Sequence, residues 1–154
     1  MTIKYNNVFI EDAYTICGNY ENDGPLSKYF DKKYEKDLYF GEKSWEQAEV
    51  HLLKEANTNI LKKNKLKEED IDLLISGDLQ NQIAASNYMA REFNIPFLGI
   101  FEACSTSGEG LAIGSTYIEG GFAKRILVST SSHNMAAEKQ FRNPVEYGAP
   151  SPET

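Results

Sequence analysis

The residue with the clearest chemical potential in this sequence is Cys104, within the stretch Ile100–Gly110 (IFEACSTSGEG). The apolar run Ile95–Phe101 predicts a short buried strand, and Ser105 and Thr106 are residue types that open helices. Cys104 is therefore expected where a strand ends and a helix begins. Unpaired N–H groups and the positive end of the helix dipole favour a thiolate over a thiol at such a place.

Two interpretations of Cys104 stay open at this point. A thiolate at a helix N-terminus suits nucleophilic catalysis, and its pKa is then expected below the free value of about 8.5. Free cysteines are also very often buried, so Cys104 could be an inert side chain in a tight strand-to-helix turn. Cys17 lies on a predicted strand with no helix behind it, so nothing there predicts a lowered pKa.

The composition bounds the class of protein. The 154 residues are 41% apolar and 25% charged, which is typical of one globular domain. A net charge of −7 argues against nucleic acid as a partner, because it leaves no broad basic face. The two cysteines and the absence of a signal peptide indicate a reduced cytoplasmic setting. No apolar run approaches the roughly 20 residues that span a bilayer. We expect a soluble or membrane-docked protein without metal or cofactor.

The elements around Cys104 alternate between strands and helices, which predicts an α/β protein with parallel strand pairs and helices on both faces of the sheet. The sequence does not indicate whether Ser27–Phe40 forms a short amphipathic helix or an ordered segment over the surface. No strand pattern is present from Asn134 to Thr154. The predicted strands are Val8–Ile16, Ile71–Ser76, Ile95–Phe101 and Arg125–Ser131. The predicted helices begin at Ser44, with Gln47 completing a capping box, at about Gln82, ending at Phe93, and at Ser105, ending at Gly120–Gly121.

The patterns of these helices also predict their buried faces. The helix after Cys104 is rich in Gly, Ala and Ser, which predicts close backbone approach in a helix buried between layers. Asn94 is expected to cap the middle helix, and His51 is expected to be an ordinary histidine on the surface of the first. The predicted apolar stripe of the first helix is Trp45, Ala48, Leu52, Ala56 and Ile60, and that of the second is Ile83, Ala84, Tyr88, Ala90 and Phe93.

Two features resemble the N-terminal half of the thiolase and ketoacyl-synthase fold: Cys-Ser-Thr-Ser at a helix start, and Gly120–Ala123 (GGFA) before the next strand. Cys104 matches the nucleophile position of that superfamily. Longer motifs, from about Leu66 onward, resemble the stage V sporulation protein AD family within it. They are Ile75–Gln82 (ISGDLQNQ), Glu102–Ser107 (EACSTS), Thr130–Asn134 (TSSHN) and Ala137–Gly148 (AEKQFRNPVEYG).

The resemblance implies a layered α-β-α fold with a mixed, largely parallel sheet, and residues 1–154 are expected to be its N-terminal half. In the superfamily the catalytic His, and its Asn or second His, come from the second half, so they are expected to be absent here. The fifth strand of the first half is expected after Thr154, unless a second copy covers the sheet edge. The resemblance also implies a homodimer, in which Pro96–Glu102 pairs with its two-fold mate.

For function, the resemblance implies a binding protein of endospores. The family helps to move dipicolinate (pyridine-2,6-dicarboxylate) with calcium into the developing spore, alongside membrane-embedded partners. This places the protein peripherally on the inner membrane of the forespore or spore. The expected ligand contacts are Cys104, Ser105, His133 and Arg142. His133 could instead cap a helix or form a hydrogen bond at the strand end, and Arg142 could be an exposed loop residue without a ligand.

Three functions therefore remain as hypotheses. The first is dipicolinate binding at a helix N-terminus, where N–H groups meet carboxylates. The second is acyl transfer with Cys104 as a covalent nucleophile, which needs a base and an oxyanion hole that this chain cannot supply alone, so we expect no turnover from it. The third is a structural role, with the domain docking on a membrane channel.

Overall fold

A three-stranded parallel sheet stands at the centre of the computed structural model, which describes residues 2–141. In chain order the strands and α-helices are β1 (Ile16–Cys17), α1 (Asn19–Asn22), β2 (Lys32–Lys33), α2 (Trp45–Lys63), β3 (Leu73–Gly77), α3 (Ala84–Ala90), β4 (Phe97–Gly99), α4 (Thr106–Glu119), β5 (Ile126–Thr130) and α5 (Asn134–Phe141). Four short 3-10 helices lie between them, at Ser27–Tyr29, Glu68–Asp70, Asn81–Ile83 and Ala103–Ser105.

The sheet has the order β4-β3-β5, with β3 in the middle and both pairings parallel. Leu74 pairs with Phe97 on one side and with Leu127 on the other. Strands β1 and β2 form a separate parallel pair, Ile16 opposite Lys32. Because all three central strands run the same way, the segments after β3, β4 and β5 leave the sheet at one edge.

Helices cover both faces of the sheet, as the alternation of β3 requires. Leu74 is fully buried against α2 and α3, in a cluster with Leu53, Leu61 and Met89. The next residue, Ile75, points to the opposite face and lies against α4. This is the period-2 pattern of a strand buried on both sides, and the predicted α-β-α layering is confirmed.

Helix α4 lies close to the sheet because two of its glycines face β5. A Cβ on Gly110 would lie 2.6 Å from Cγ1 of Val128 and 3.2 Å from Cδ1 of Ile100. A Cβ on Gly114 would make ordinary contacts with Val128, Ile126 and Ile75. The small residues on the sheet side therefore allow the close approach that the composition predicts. The opposite side of α4 is exposed in the described structure, for example at Gly108 and Leu111.

The predicted strand Val8–Ile16 is wrong over most of its length, because only Ile16 belongs to a strand. Residues 8–14 have no strand neighbour within the described structure, and Phe9 and Ile10 are 82% and 77% exposed. The Thr15 carbonyl accepts a hydrogen bond from the Lys32 backbone N–H of β2. Side chains of other elements hold the segment instead. Glu119 accepts hydrogen bonds from the backbone N–H groups of residues 6 and 7, and Arg125 forms an ion pair with Glu11.

Helix α2 begins as predicted, since the Ser44 hydroxyl accepts a hydrogen bond from the backbone N–H of Gln47. Its predicted stripe is shifted by one residue after Ala48. The fully buried positions continue through Glu49, Leu53, Asn57 and Leu61, whereas Leu52, Ala56 and Ile60 are half-buried. The prediction failed because two polar residues, Glu49 and Asn57, occupy the buried face.

Helix α3 is shorter than the predicted Gln82–Phe93. Gln82 and Ile83 have positive φ angles, 59° and 49°, so the α-helix cannot begin before Ala84. It ends at Ala90, and the predicted cap Asn94 lies beyond it. Of the predicted buried positions, Tyr88 is 59% exposed; the buried residues are Ala85, Ser86 and Met89.

The two glycines Gly108 and Gly110 offer a matched test of the α4 packing. Gly110→Ala should lower the free energy of unfolding by about 1–3 kcal/mol, because its methyl group would overlap the stiff Val128 side chain. Gly108→Ala has open space around its Cβ and should raise stability by about 0.5–1 kcal/mol, through helix propensity. Urea unfolding measures both. Equal effects of the two substitutions would contradict the proposed packing.

Candidate functional site

Cys104 lies in the 3-10 turn Ala103–Ser105, between β4 and the first turn of α4, and its side chain is exposed. The interpretation of Cys104 as a buried residue is therefore wrong. Ala103, which precedes it, has a φ of +46°, an uncommon conformation for a residue with a Cβ. Cys17 differs in every respect: it is 5% exposed, and burial raises the pKa of its thiol, with a further contribution from Glu21.

Thr106 holds this turn in place. It is 2% exposed, and its hydroxyl accepts a hydrogen bond from the Glu102 backbone N–H at 3.1 Å and donates one to the Ala103 carbonyl at 2.8 Å. The Ser105 hydroxyl donates to the Glu102 carbonyl at 2.9 Å. These bonds satisfy backbone groups that the tight turn leaves without helical partners.

Gly77, the last residue of β3, lies directly beneath the turn. A Cβ at this position would be 2.3 Å from the carbonyl oxygen of Ile100 and 2.6 Å from the methyl group of Thr106. A real Cβ does not approach a backbone atom this closely, so only glycine fits here without displacing the chain that leads to Cys104.

The N-terminus of α4 is open to solvent. No side chain in the described part of the chain caps this helix at Ser105, and Ser107 and Gly108 in its first turn are exposed. Free N–H groups and the positive helix dipole meet at such an end, so it can accept a carboxylate. Two acidic residues lie nearby in sequence: Glu102 is exposed, and Glu109 has a buried Oε2 without a hydrogen-bond partner among residues 2–141.

An open groove of about 820 Å³ lies between the end of β4 and the turn after β3. The strained residues Gln82 and Ile83 line it, together with Phe101, and such backbone strain often occurs at functional sites. The other lining residues include three amide side chains, those of Gln80, Asn81 and Gln140. The backbone N–H of Asn81 donates to the Gln140 side-chain oxygen at 2.6 Å, which ties this groove to α5.

A buried polar layer lies under the ends of β3 and β5. The carboxylate of Glu49, 1% exposed, accepts hydrogen bonds from the Gln80 amide and the Ser131 hydroxyl, each at 2.9 Å. Asp78, also 1% exposed, accepts from the backbone N–H groups of Gln80 and Ser86. Burial raises the pKa of Glu49, and its hydrogen bonds offset only part of that effect.

His133 follows β5 at the same edge of the sheet and is 5% exposed. Its Nε2 lies 2.7 Å from the Leu38 carbonyl oxygen, and its Nδ1 lies 3.4 Å from the backbone nitrogen of Ala136 in the first turn of α5. A carbonyl can only accept and a backbone N–H can only donate. The geometry thus assigns the proton to Nε2, and His133 caps α5, as one of its two predicted roles requires.

Of the three predicted contact residues that the structure describes, two lie together. Cys104 and Ser105 share one turn, whereas His133 follows β5, two strand spacings or about 10 Å from β4. Arg142 lies outside the described residues. Sequence reasoning missed Thr106 as the holder of the turn and missed the Glu49 layer. The spacing of Glu49, Leu53, Asn57 and Leu61 is the one signal that could have revealed the layer.

Two possible features are not found between residues 2 and 141. No group of three or more His, Cys, Asp or Glu side chains is placed to hold a metal ion. No helix within the described range is long and apolar enough to cross a membrane.

Comparisons with known proteins agree on family and fold. A model of the stage V sporulation protein AD family matches residues 1–154. Stage V sporulation protein AD of Bacillus subtilis (strain 168) is 51% identical over 147 residues, covering 96% of this chain and 43% of that protein. Among solved structures, 3-oxoacyl-[acyl-carrier-protein] synthase III of Aquifex aeolicus VF5 matches with a TM-score of 0.51 at 23% identity, covering 56% of this chain and 30% of that one. This likeness shows a thiolase-like fold, and the chain spans less than half the length of both proteins.

Glu49 should make stability depend on pH. Because the folded-state pKa of Glu49 is raised, its protonated form is favoured in the fold. That contribution is fully present below the unfolded pKa of about 4.3 and is lost as pH rises through the folded value. Glu49→Gln should therefore gain stability relative to wild type between pH 4 and 8, by about 1.4 kcal/mol for each unit of the raised pKa.

Glu46→Gln is the matched control, since a hydrogen bond from Lys139 lowers the pKa of Glu46. That contribution is present above the unfolded pKa, so this variant should lose stability at neutral pH and match wild type in acid. Denaturant unfolding at several pH values measures both. A Glu49→Gln variant that is destabilised equally at every pH would contradict the assignment.

Proposed function

Because this chain belongs to the stage V sporulation protein AD family, we propose that it binds dipicolinate at the Cys104 turn, on a thiolase-like scaffold. The observation that carries the proposal is the open N-terminus of α4. Ser107 and Gly108 in its first turn are exposed, and the helix has no side-chain cap in the described structure. Cys104 and Ser105 stand immediately before it on a turn that Thr106 and Gly77 hold rigidly.

The chemistry of the ligand suits this end of the helix. Dipicolinate is planar and carries two carboxylates, and one of them can accept hydrogen bonds from exposed N–H groups in the first turn of α4. Arg142 could supply a bidentate contact to the second carboxylate. His133 is a weaker candidate, because both of its ring nitrogens already have protein partners.

Local charge favours the ligand together with calcium. The dianion alone would meet the acidic side chain of Glu102 beside Cys104, and like charges at short range repel. A bound Ca²⁺ neutralises the dicarboxylate and prefers oxygen ligands, so Glu102 would then attract the chelate.

We propose that the chain acts without turnover. An acyl-transfer reaction needs a base within hydrogen-bond reach of the sulfur, and no such contact to Cys104 is present in the described structure. Acyl transfer with Cys104 as nucleophile remains the second candidate, favoured by one observation: the thiol is exposed beside a helix N-terminus.

The assembly is also a proposal. Strand β4 is at the edge of the sheet, and Phe101 beside it is 56% exposed, which suits pairing with a second copy across a two-fold axis. A chain that sediments only as a monomer at micromolar concentration would contradict this dimer.

Because relatives are longer, we propose that residues 1–154 are the first half of a thiolase-like domain. Within the spore, the proposed setting is the inner membrane surface, alongside other stage V sporulation proteins.

Thiol labelling tests the proposed site. Iodoacetamide near neutral pH should alkylate Cys104 much faster than Cys17, because Cys104 is exposed while Cys17 is buried with a raised pKa. Dipicolinate should slow the labelling of Cys104 in a saturable manner, at a lower concentration with Ca²⁺ than without it, and leave Cys17 unchanged. Mass spectrometry of the two cysteine peptides measures both rates.

Arg142→Ala should weaken this protection if Arg142 contacts the second carboxylate. Labelling of Cys104 that dipicolinate does not change at any concentration would exclude the turn as the site. Release of coenzyme A from an acyl-CoA, lost in Cys104→Ser, would instead establish the acyl-transfer alternative.

A further inference from the structure

Residues Lys32–Glu42, which we call the strap, cross from β2 to the start of α2 and contact both histidines of the chain. At the first end, Lys32 pairs with Glu55 of α2, and the Tyr34 hydroxyl donates to the same carboxylate at 2.8 Å. At the second end, Leu38 and Phe40 lie against His133. The strap therefore joins helix α2 to the corner between β5 and α5.

The contacts of His51 suit either charge state. Its Nδ1 lies 3.0 Å from the Glu42 carboxylate and its Nε2 lies 3.3 Å from the Tyr34 hydroxyl. Both partners can accept a hydrogen bond, because the Tyr34 hydroxyl gives its own hydrogen to Glu55, so each N–H of a charged ring would have an acceptor. The ring is also partly exposed, which lowers the cost of a charge.

His133 has the opposite requirement. Its Nε2–H must donate to the Leu38 carbonyl, and its Nδ1 must accept from the Ala136 N–H. Protonation would place an N–H at Nδ1 facing another N–H, and it would put a charge on a ring that is 5% exposed and in edge contact with Phe40. The contacts of His133 therefore require the neutral ring.

The backbone at this end of the strap is strained. Phe40 has a φ of +50° although it carries a large side chain, and Gly41 follows with a φ of +83°. Phe40 is nevertheless 7% exposed, packed on Tyr34 with ring centroids 4.7 Å apart. A residue in this region is strained and persists only while its surroundings hold it, so lost contacts to His133 favour its release.

We propose that the strap is an acid-released latch, in which protonation of His133 frees residues Leu38–Gly41 from the β5–α5 corner while the Lys32–Tyr34 end stays on α2. The proton goes to Nδ1, the hydrogen bond from Ala136 is lost, and α5 loses the side-chain cap on its first turn. Release of the latch would also affect the buried polar layer under the ends of β3 and β5, because the backbone N–H of His133 donates to the Glu49 carboxylate.

Other charged groups around His133 decide how the latch is tested. Glu49 is the carboxylate bonded to its backbone, and its raised pKa makes it a competing titration. Lys139 pairs with Glu46, so that pair adds little net charge. Charged residues of the elements packed around His133 include Asp37 of the strap, Glu46 and Glu49 of α2, Asp78 after β3, and Glu138 and Lys139 of α5.

Two residues next to the strap can report its movement. Trp45 is the chain's single tryptophan, and Tyr39 of the strap stacks on it with centroids 5.9 Å apart. Cys17 is buried next to Gly18, on which the Phe40 ring packs. In a Cys104→Ser background, acidification from pH 7.5 to 5.5 should shift the Trp45 emission to the red. It should also raise the reactivity of Cys17 with dithiodipyridine at least tenfold, relative to the unfolded chain at the same pH.

Three variants assign the response. His133→Asn keeps an acceptor for Ala136 but cannot gain a charge in this range, so both signals should stay flat. His51→Gln is the matched histidine control and should keep the wild-type response, and Glu49→Gln should keep it too. Signals that persist in His133→Asn, or vanish in His51→Gln or Glu49→Gln, would overturn the latch.

If His133→Asn fails to fold, NMR titration of the wild-type His133 ring tests whether protonation of this ring causes the response to acid. The latch requires that the midpoint of ring protonation coincide with the midpoint of the Trp45 change. Different midpoints, or a wild-type chain whose Trp45 and Cys17 signals do not change with pH, would overturn it.

Discussion

The close contact between Gly77 and the chain above it is the constraint on which the candidate site depends. The end of β3 approaches the Ile100 carbonyl and the Thr106 methyl so closely that no side chain fits between them. This contact determines where the chain leaves β4, and thereby the position of the Cys104 turn. Thr106, buried by the same contact, then directs its hydroxyl to the turn and fixes Glu102 and Ala103. A glycine at the end of the middle strand and a threonine at the start of α4 together produce an exposed cysteine on a rigid turn.

The parallel sheet explains why several polar features meet at one edge. Strands β3, β4 and β5 all end there, and each is followed by functional or polar residues: Asp78, Cys104 and His133 respectively. Helix α2 passes beneath the same edge and contributes the buried Glu49. The cost of burying this carboxylate is reduced by three donors, which come from segments after β3 and β5. The layer thus ties two strand ends to one helix, and a proton on Glu49 or His133 would affect all of them.

Sequence patterns predicted the fold where local signals and tertiary contacts agree. The strand, turn and helix around Cys104, the Ser44 cap and the glycine end of α4 are all confirmed. Patterns failed where a distant contact decided the outcome. Residues 8–14 have strand composition but no strand neighbour in the described structure, and polar Glu49 and Asn57 are buried by partners far along the chain. The strained Gln82 and Ile83 shorten α3, and no residue type at these positions signals a positive φ. For the site, the sequence located Cys104 and Ser105 but not the residues that hold them.

The central claim is that a condensing-enzyme scaffold presents an uncapped helix N-terminus to a dicarboxylate ligand. A crystal structure of the chain grown with dipicolinate and Ca²⁺ tests this claim most directly. The account predicts density for a planar ring at the Cys104 turn, with one carboxylate within hydrogen-bond distance, about 2.7–3.2 Å, of N–H groups in the first turn of α4. Dipicolinate bound at a different place, with the first turn of α4 open at a saturating ligand concentration, would contradict it.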